Sequence, residues 1–360
     1  MRILIAPDKY AGTLTSGQAA AAIAAGWLRT APADELDLAP LSDGGPGFVE
    51  TMHEALGGCL EAVTVRGPLG EPAPAALLVV GSVAYVESAQ ACGLALTGRE
   101  GPRRATTHGV GELLLAAIDA GATEVVVGLG GSGTTDGGAG LLAALGATAD
   151  RPLDAGPDGL AGVTEVDLTA ARAAVAGISL VAASDVDNPL TGLFGAAKVF
   201  GPQKGLADAD LPAVDGALQD LAAATDRKAA AGKGAGAAGG LGFALALLGA
   251  VRRPGFEVVA EATGLAGRAA VADLVVTGEG AFDFTSRGGK VPAGVAALAG
   301  EHARPCVVLA GRVEVGSREM RALGVESAYA MVDRAGSRAL DEPAAVLEEL
   351  AAHVATQWSR

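Results

Sequence analysis

Neither end of this chain carries a complete sheet, and that most limits what it can fold into. The N-terminal segment reads strand, helix, strand: the continuous apolar run RILIA, then TSGQAAAAIAAGWL, then ELDLAPL. Thr15 and Gln18 stand at capping-box spacing before an apolar helical face. The C-terminal segment repeats the grammar with ADLVVTGEG, helical KVPAGVAALAGEHA, PCVVLAGRV, ESAYAMV and the amphipathic PAAVLEELAAHVATQW. Two strands and three strands together make the usual five-stranded doubly wound α/β sheet, so the pattern predicts one domain split in sequence by an insertion. The discontinuous domain is expected at residues 1–65 and 255–360, with an inserted mixed α/β domain at 66–254. At 360 residues the chain is also longer than one core usually supports. Within the insert, AVTVRGPLGEPAPAALLVVGSVAYVES reads as antiparallel hairpins, and ATDRKAAAGKGAGAAGG reads as a flexible loop.

Charge narrows the partners. With 26 Lys and Arg against 41 Asp and Glu, the formal net charge is -15, which opposes an extended grip on nucleic acid or an anionic membrane. A small anionic ligand would need locally placed cations, Mg²⁺ or backbone N–H groups. The three cysteines, Cys59, Cys92 and Cys306, form no C-x-x-C pair. Together with the strand-like opening MRILIAPD, this predicts a cytoplasmic protein.

Acidic residues recur just after strands: Asp8, Asp43, Asp136, Asp185, Glu279 and Asp283. Strand C-terminal ends converge on the ligand crevice of open α/β sheets, so these carboxylates are expected to share a site. The loops SDGGPG, GLGGSGTTDGG, GKGAGAAGGLG and GEG let backbone N–H groups approach phosphate oxygens, which suggests an anionic ligand in an interdomain cleft. Gly128, Gly130 and Gly133 spell G-x-G-x-x-G, but TTDGG interrupts the helix that a dinucleotide fingerprint requires. The Walker pattern is absent as well.

The strings APDKYAGTLTS, SDGGPG, GLGGSGTTDGGAGLLAALGA, SDVDNPLTG, FGPQKG, GAGAAGGLG, RPGFEVV and DLVVTGEGAFDFTSRGGK together resemble bacterial type I glycerate kinases along the whole chain. The resemblance implies ATP-dependent, Mg²⁺-assisted phosphorylation of D-glycerate, with the 2-hydroxyl favoured, on an architecture containing a flavodoxin-like domain. It also implies site roles. Asp185 and Asn188 are the candidates for Mg²⁺, and Lys204 and Lys290 for phosphate. Asp43, Asp136, Glu279 and Asp283 are candidates for accepting the hydroxyl proton or ordering glycerate. Asp8, Lys9, Gly44, Gly45, Gly130, Gly131, Ser132, Thr134, Gly234, Gly236, Gly239 and Gly240 complete the expected substrate and phosphate contacts.

The chain departs from the family pattern at Pro46, and at Ala11 and Ala281, where cations are usual. Lys9, and Arg287 or Arg312, are the expected replacements. Two other readings stay open: a kinase for another small hydroxy acid, and a non-catalytic nucleotide or metabolite sensor on a kinase scaffold. Oligomeric state is not legible in the sequence.

Overall fold

The computed structural model describes residues 1–10, 12–283 and 290–359, an α/β fold with a five-stranded parallel sheet, a six-stranded mixed sheet and a two-stranded antiparallel ribbon. In chain order the strands are β1 Arg2–Ile5, β2 Glu35–Leu38, β3 Cys59–Arg66, β4 Pro72–Val80, β5 Val83–Glu87, β6 Glu124–Gly128, β7 Thr148–Ala149, β8 Val166–Asp167, β9 Ser179–Ala183, β10 Val251–Arg253, β11 Leu274–Phe282, β12 Cys306–Val313 and β13 Ser327–Ala330. The chain divides into two compact units. Unit 1 comprises Met1–Asp43, Glu50–Leu56 and Pro254–Arg360; unit 2 comprises Gly44–Val49 and Gly57–Arg253.

Unit 1 holds the parallel sheet, in the order β13-β12-β11-β1-β2. Its central strands read as unbroken apolar runs because both faces are covered: Ile3, Leu4 and Ile5 of β1 and Leu274, Val275 and Val276 of β11 are all buried. One face carries the helices Ser16–Thr30 and Pro343–Trp358, whose Ile23, Trp27, Val346 and Leu350 join Ile3, Ile5, Val276 and Leu309 in one core. The first of these helices starts as its sequence requires, with the Thr15 side chain accepting from Gln18 N and the Gln18 side chain accepting from Thr15 N.

Unit 2 holds a six-stranded sheet, β10-β9-β6-β5-β4-β3, in which β3, β4 and β5 run as antiparallel neighbours and the rest are parallel. The expected start of the insert at residue 66 moves to Gly57. The reason is register: β3 pairs with β4 from Cys59↔Val79 to Arg66↔Pro72, so the hairpin cannot be divided between units. The glycine-rich stretch after residue 230 is also not a flexible loop. Ala235, Ala237, Gly239 and Gly240 are buried, and the stretch turns through left-handed backbone at Ala238, Gly239 and Gly240 ahead of the helix Leu241–Leu247. Among the described residues, no helix is long and apolar enough to cross a membrane.

Candidate active site

In unit 1 the acidic residues gather where the parallel strands end. Backbone bonds from Ala6 N to Val276 O (2.7 Å) and from Asp8 N to Gly278 O (2.8 Å) prolong the β1–β11 pairing past the end of β1, carrying Asp8 alongside Glu279. Leu41 N donates to Pro7 O (2.9 Å), which guides the segment after β2 toward Asp43. Tyr10 ties the first loop down by donating its buried hydroxyl to Leu309 O of β12, and burial holds that phenol well above its usual pKa.

The result is a pocket of 460 Å³ whose walls include Asp8, Lys9, Asp43, Glu279, Asp283 and Lys290. Six of the residues singled out from the sequence therefore meet at one place. Arg312 and Ala281 also line it. Ala11 and Arg287, which bear on the missing family cations, lie outside the described residues.

The electrostatics of this pocket are uneven. Lys9 Nζ lies 3.0 Å from Asp43 Oδ1 and 3.8 Å from Asp8 Oδ1, so one ammonium bridges two carboxylates. Asp8 is 5% exposed, and burial drives its pKa up to about 6 despite Lys9. The Asp43 charge adds to the rise, while the N–H that Lys9 donates to Asp8 Oδ1 at 2.7 Å opposes it. A carboxyl poised there can exchange a proton near neutral pH, which a solvated aspartate does poorly.

In unit 2 the glycine motifs pack on one another. A Cβ on Gly130 would stand 2.5 Å from Gly45 Cα, and one on Gly131 would stand 2.5 Å from Pro46 Cγ. At Gly44 it would meet Ala183 O at 3.0 Å, with φ +87°. Gly239 and Gly240 are pressed likewise against Thr134 and Gly137, and Gly234 and Gly236 against Arg252 and Pro189. Strings far apart in sequence thus converge because their glycines let backbones touch. The missing side chains at these positions make room for neighbouring protein.

Two expected chemical groups are interior. Lys204 is 2% exposed, and its ammonium donates to Ser132 Oγ (2.8 Å) and Thr134 O (2.7 Å). Burial lowers its pKa to about 8, opposed by Cys92 and Asp136. Asp136 is fully buried and accepts from Thr107 N (2.8 Å), Thr107 Oγ1 (2.8 Å), Gly138 N (3.0 Å) and Gly140 N (3.2 Å). Its pKa is raised by burial against the pull of those donors. This geometry sets both residues inside the protein rather than in an open phosphate site: Lys204 donates to the loop 130–140, and Asp136, itself in that loop, accepts from Thr107 as well as from Gly138 and Gly140. Solvation cost is the reason, since a charge taken from water in a core must be bonded there.

Asp185 and Asn188 follow β9. Gly236 N donates to Asn188 O (2.9 Å), laying this segment along the glycine-rich stretch. Asn188 Nδ2 donates to Phe194 O (2.8 Å), which leaves the amide oxygen as the atom able to bind a cation. One carboxylate and one amide oxygen are hard donors suited to Mg²⁺. Among the described residues no group of three or more His, Cys, Asp or Glu is placed to hold a metal.

Comparisons with known proteins agree on one family. The model described as the glycerate kinase family matches residues 3–359. A glycerate kinase of Halalkalibacterium halodurans is 37% identical over 99% of each chain. A glycerate 2-kinase of Escherichia coli is 36% identical over 95% of this chain and 93% of its own. The crystal structure of a protein assigned as glycerate kinase 2 of Salmonella typhimurium LT2 superposes with a TM-score of 0.83 at 36% identity, covering 99% of this chain and 98% of that one.

Proposed function

This chain belongs to the glycerate kinase family, and we propose that it transfers the γ-phosphoryl group of ATP to the 2-hydroxyl of D-glycerate. The observation that carries the reading is the unit 1 pocket, where a carboxyl with a pKa of about 6 stands beside the Lys9–Asp43 pair. In this reading the glycerate hydroxyls lie among Asp8, Asp43 and Glu279. Asp8 takes the hydroxyl proton as that oxygen bonds to phosphorus, and the bond from phosphorus to the ADP oxygen breaks. Lys290 meets phosphate charge. The Lys9 ammonium, paired with Asp43, stands next to Asp8 and opposes the neutral form that burial and the Asp43 charge favour, so part of the carboxyl stays ionised to accept the proton.

We assign Asp185 and Asn188 to Mg²⁺, which would offset phosphate charge as the phosphoryl group moves. Lys204 and Asp136 are positioning residues in this scheme, fixing the loop that carries Ser132 and Thr134. The sheet of unit 1 supports the flavodoxin-like part of the reading: counted in chain order within that unit, its strands lie 2-1-3-4-5, the order of such folds. The relative named a glycerate 2-kinase supports the choice of hydroxyl.

Incubation of the purified protein with Mg-ATP and D-glycerate, followed by phosphorus NMR, is the test. A 2-phosphoglycerate resonance is expected. A 3-phosphoglycerate resonance would overturn the position, and no transfer to glycerate would overturn the substrate.

A further inference from the structure

We propose that Arg312 reads the carboxylate of the acceptor and so makes the unit 1 pocket select a hydroxy acid over a plain alcohol. This rests on the pocket being the acceptor site.

Arg312 is the penultimate described residue of β12, and its Cα partner on the parallel neighbour β11 is Ala281. Residues paired across a sheet project to the same face, and both of these line the pocket. A methyl group at 281 leaves the space beside the guanidinium to a ligand. Glu314, two residues on along the same chain, holds Arg312 Nε at 3.1 Å. That contact steadies one edge of the guanidinium and leaves the Nη edge for another partner. With Arg312 and Glu314 side chains 60% and 54% exposed, their ion pair is too well solvated to cancel the positive charge.

The pocket also holds Asp8, Asp43, Glu279 and Asp283, all of which repel an acid. The Lys9 ammonium sits against two of them. A substrate carboxylate is therefore best received away from that cluster, by a planar fork that can bind both of its oxygens at once. Glu279 and Ala281 share one face of β11 about 6.5 Å apart, a span comparable with a three-carbon acid. Hydroxyls toward Glu279 and a carboxylate toward Arg312 use both ends.

The test compares the full-length protein with Arg312→Ala and Arg312→Lys, using steady-state phosphorylation of D-glycerate and of glycerol at saturating Mg-ATP. Loss of a charge-assisted pair that binds ground and transition states equally should raise KM for D-glycerate about tenfold or more in Arg312→Ala, with kcat and KM for ATP nearly unchanged. Phosphorylation of glycerol, which has no carboxylate, should not change. Arg312→Lys should fall between, and Ala281→Arg placed in the Arg312→Ala background should recover part of the loss. An unchanged KM overturns the proposal, and so does an equal loss with glycerol. Calorimetric titration of D-glycerate without ATP separates this from the proposed reaction. Weaker binding to Arg312→Ala than to wild type supports the assignment even if no phosphoryl group is transferred, whereas equal binding, or none by the wild type, overturns it.

Discussion

At the scale of single residues, burial decides what an ionisable group does here. Asp8 and Lys204 are both nearly excluded from water, and their pKa values move in opposite directions, to about 6 and about 8. For Asp8 the folded value lies above the unfolded one. Its contribution to stability is therefore complete below about pH 4 and is lost as pH rises through about 6, a change of roughly 3 kcal/mol. Asp8→Asn removes the ionisation, so the variant should gain stability over wild type between pH 4 and pH 8 while losing most of its kcat. Denaturant melts across that range check the first part; a stability difference that is flat with pH would contradict it. Lys204→Ala would strip Ser132 Oγ and Thr134 O of their donor and leave a void, at a cost of about 2–5 kcal/mol. Chemical denaturation measures this, and a loss under about 0.5 kcal/mol, typical of surface positions, would return Lys204 to the surface.

At the scale of elements, the contact between the loop 44–46 and the loop 128–131 is made by backbone at Gly130 and by the Pro46 ring at Gly131, and it leaves no room for an added atom. Gly130→Ala would set a methyl 2.5 Å from Gly45 Cα. Neither side is a side-chain end that can swing away, so overpacking should cost about 1–3 kcal/mol or more. Gly216→Ala makes a matched control, because a Cβ there meets nothing within 4 Å on the helix Leu211–Ala224. Alanine in that helix should be neutral to stabilising by up to about 1 kcal/mol. Thermal melts of the two variants should shift in opposite directions, and equal shifts would remove the close approach as the cause.

At the scale of the whole molecule, one hydrophobic core is built from residues of unit 1 and another from residues of unit 2. Both tryptophans, Trp27 and Trp358, belong to unit 1, so intrinsic fluorescence reports that unit while far-ultraviolet circular dichroism reports both. Leu113→Ala, in the second core, should cost about 2–5 kcal/mol. It should move the dichroism midpoint more than the fluorescence midpoint in urea. Coincident midpoints in wild type and variant would mean that the two cores melt as one cooperative unit.

The sequence by itself determined the alternation of strands and helices at both ends, because continuous apolar runs and helical periodicity are local signals. It also exposed the capping box at Thr15 and the acids that follow β1, β2 and β11, since each depends on residues a few places apart. Pairing decided the rest. Gly57 rather than residue 66 opens the larger part of unit 2 because β3 finds its partner in β4, a choice that no single strand records. That the glycine strings pack on one another and that Lys204 and Asp136 turn inward was decided by the assembled loops, because only they reveal which groups lose their water. Arg312 was legible as one of two possible replacements for the cation missing at Ala281, because it too follows an apolar strand; its pairing with Ala281 comes from the register of two parallel strands joined through an intervening helix, which local pattern does not record.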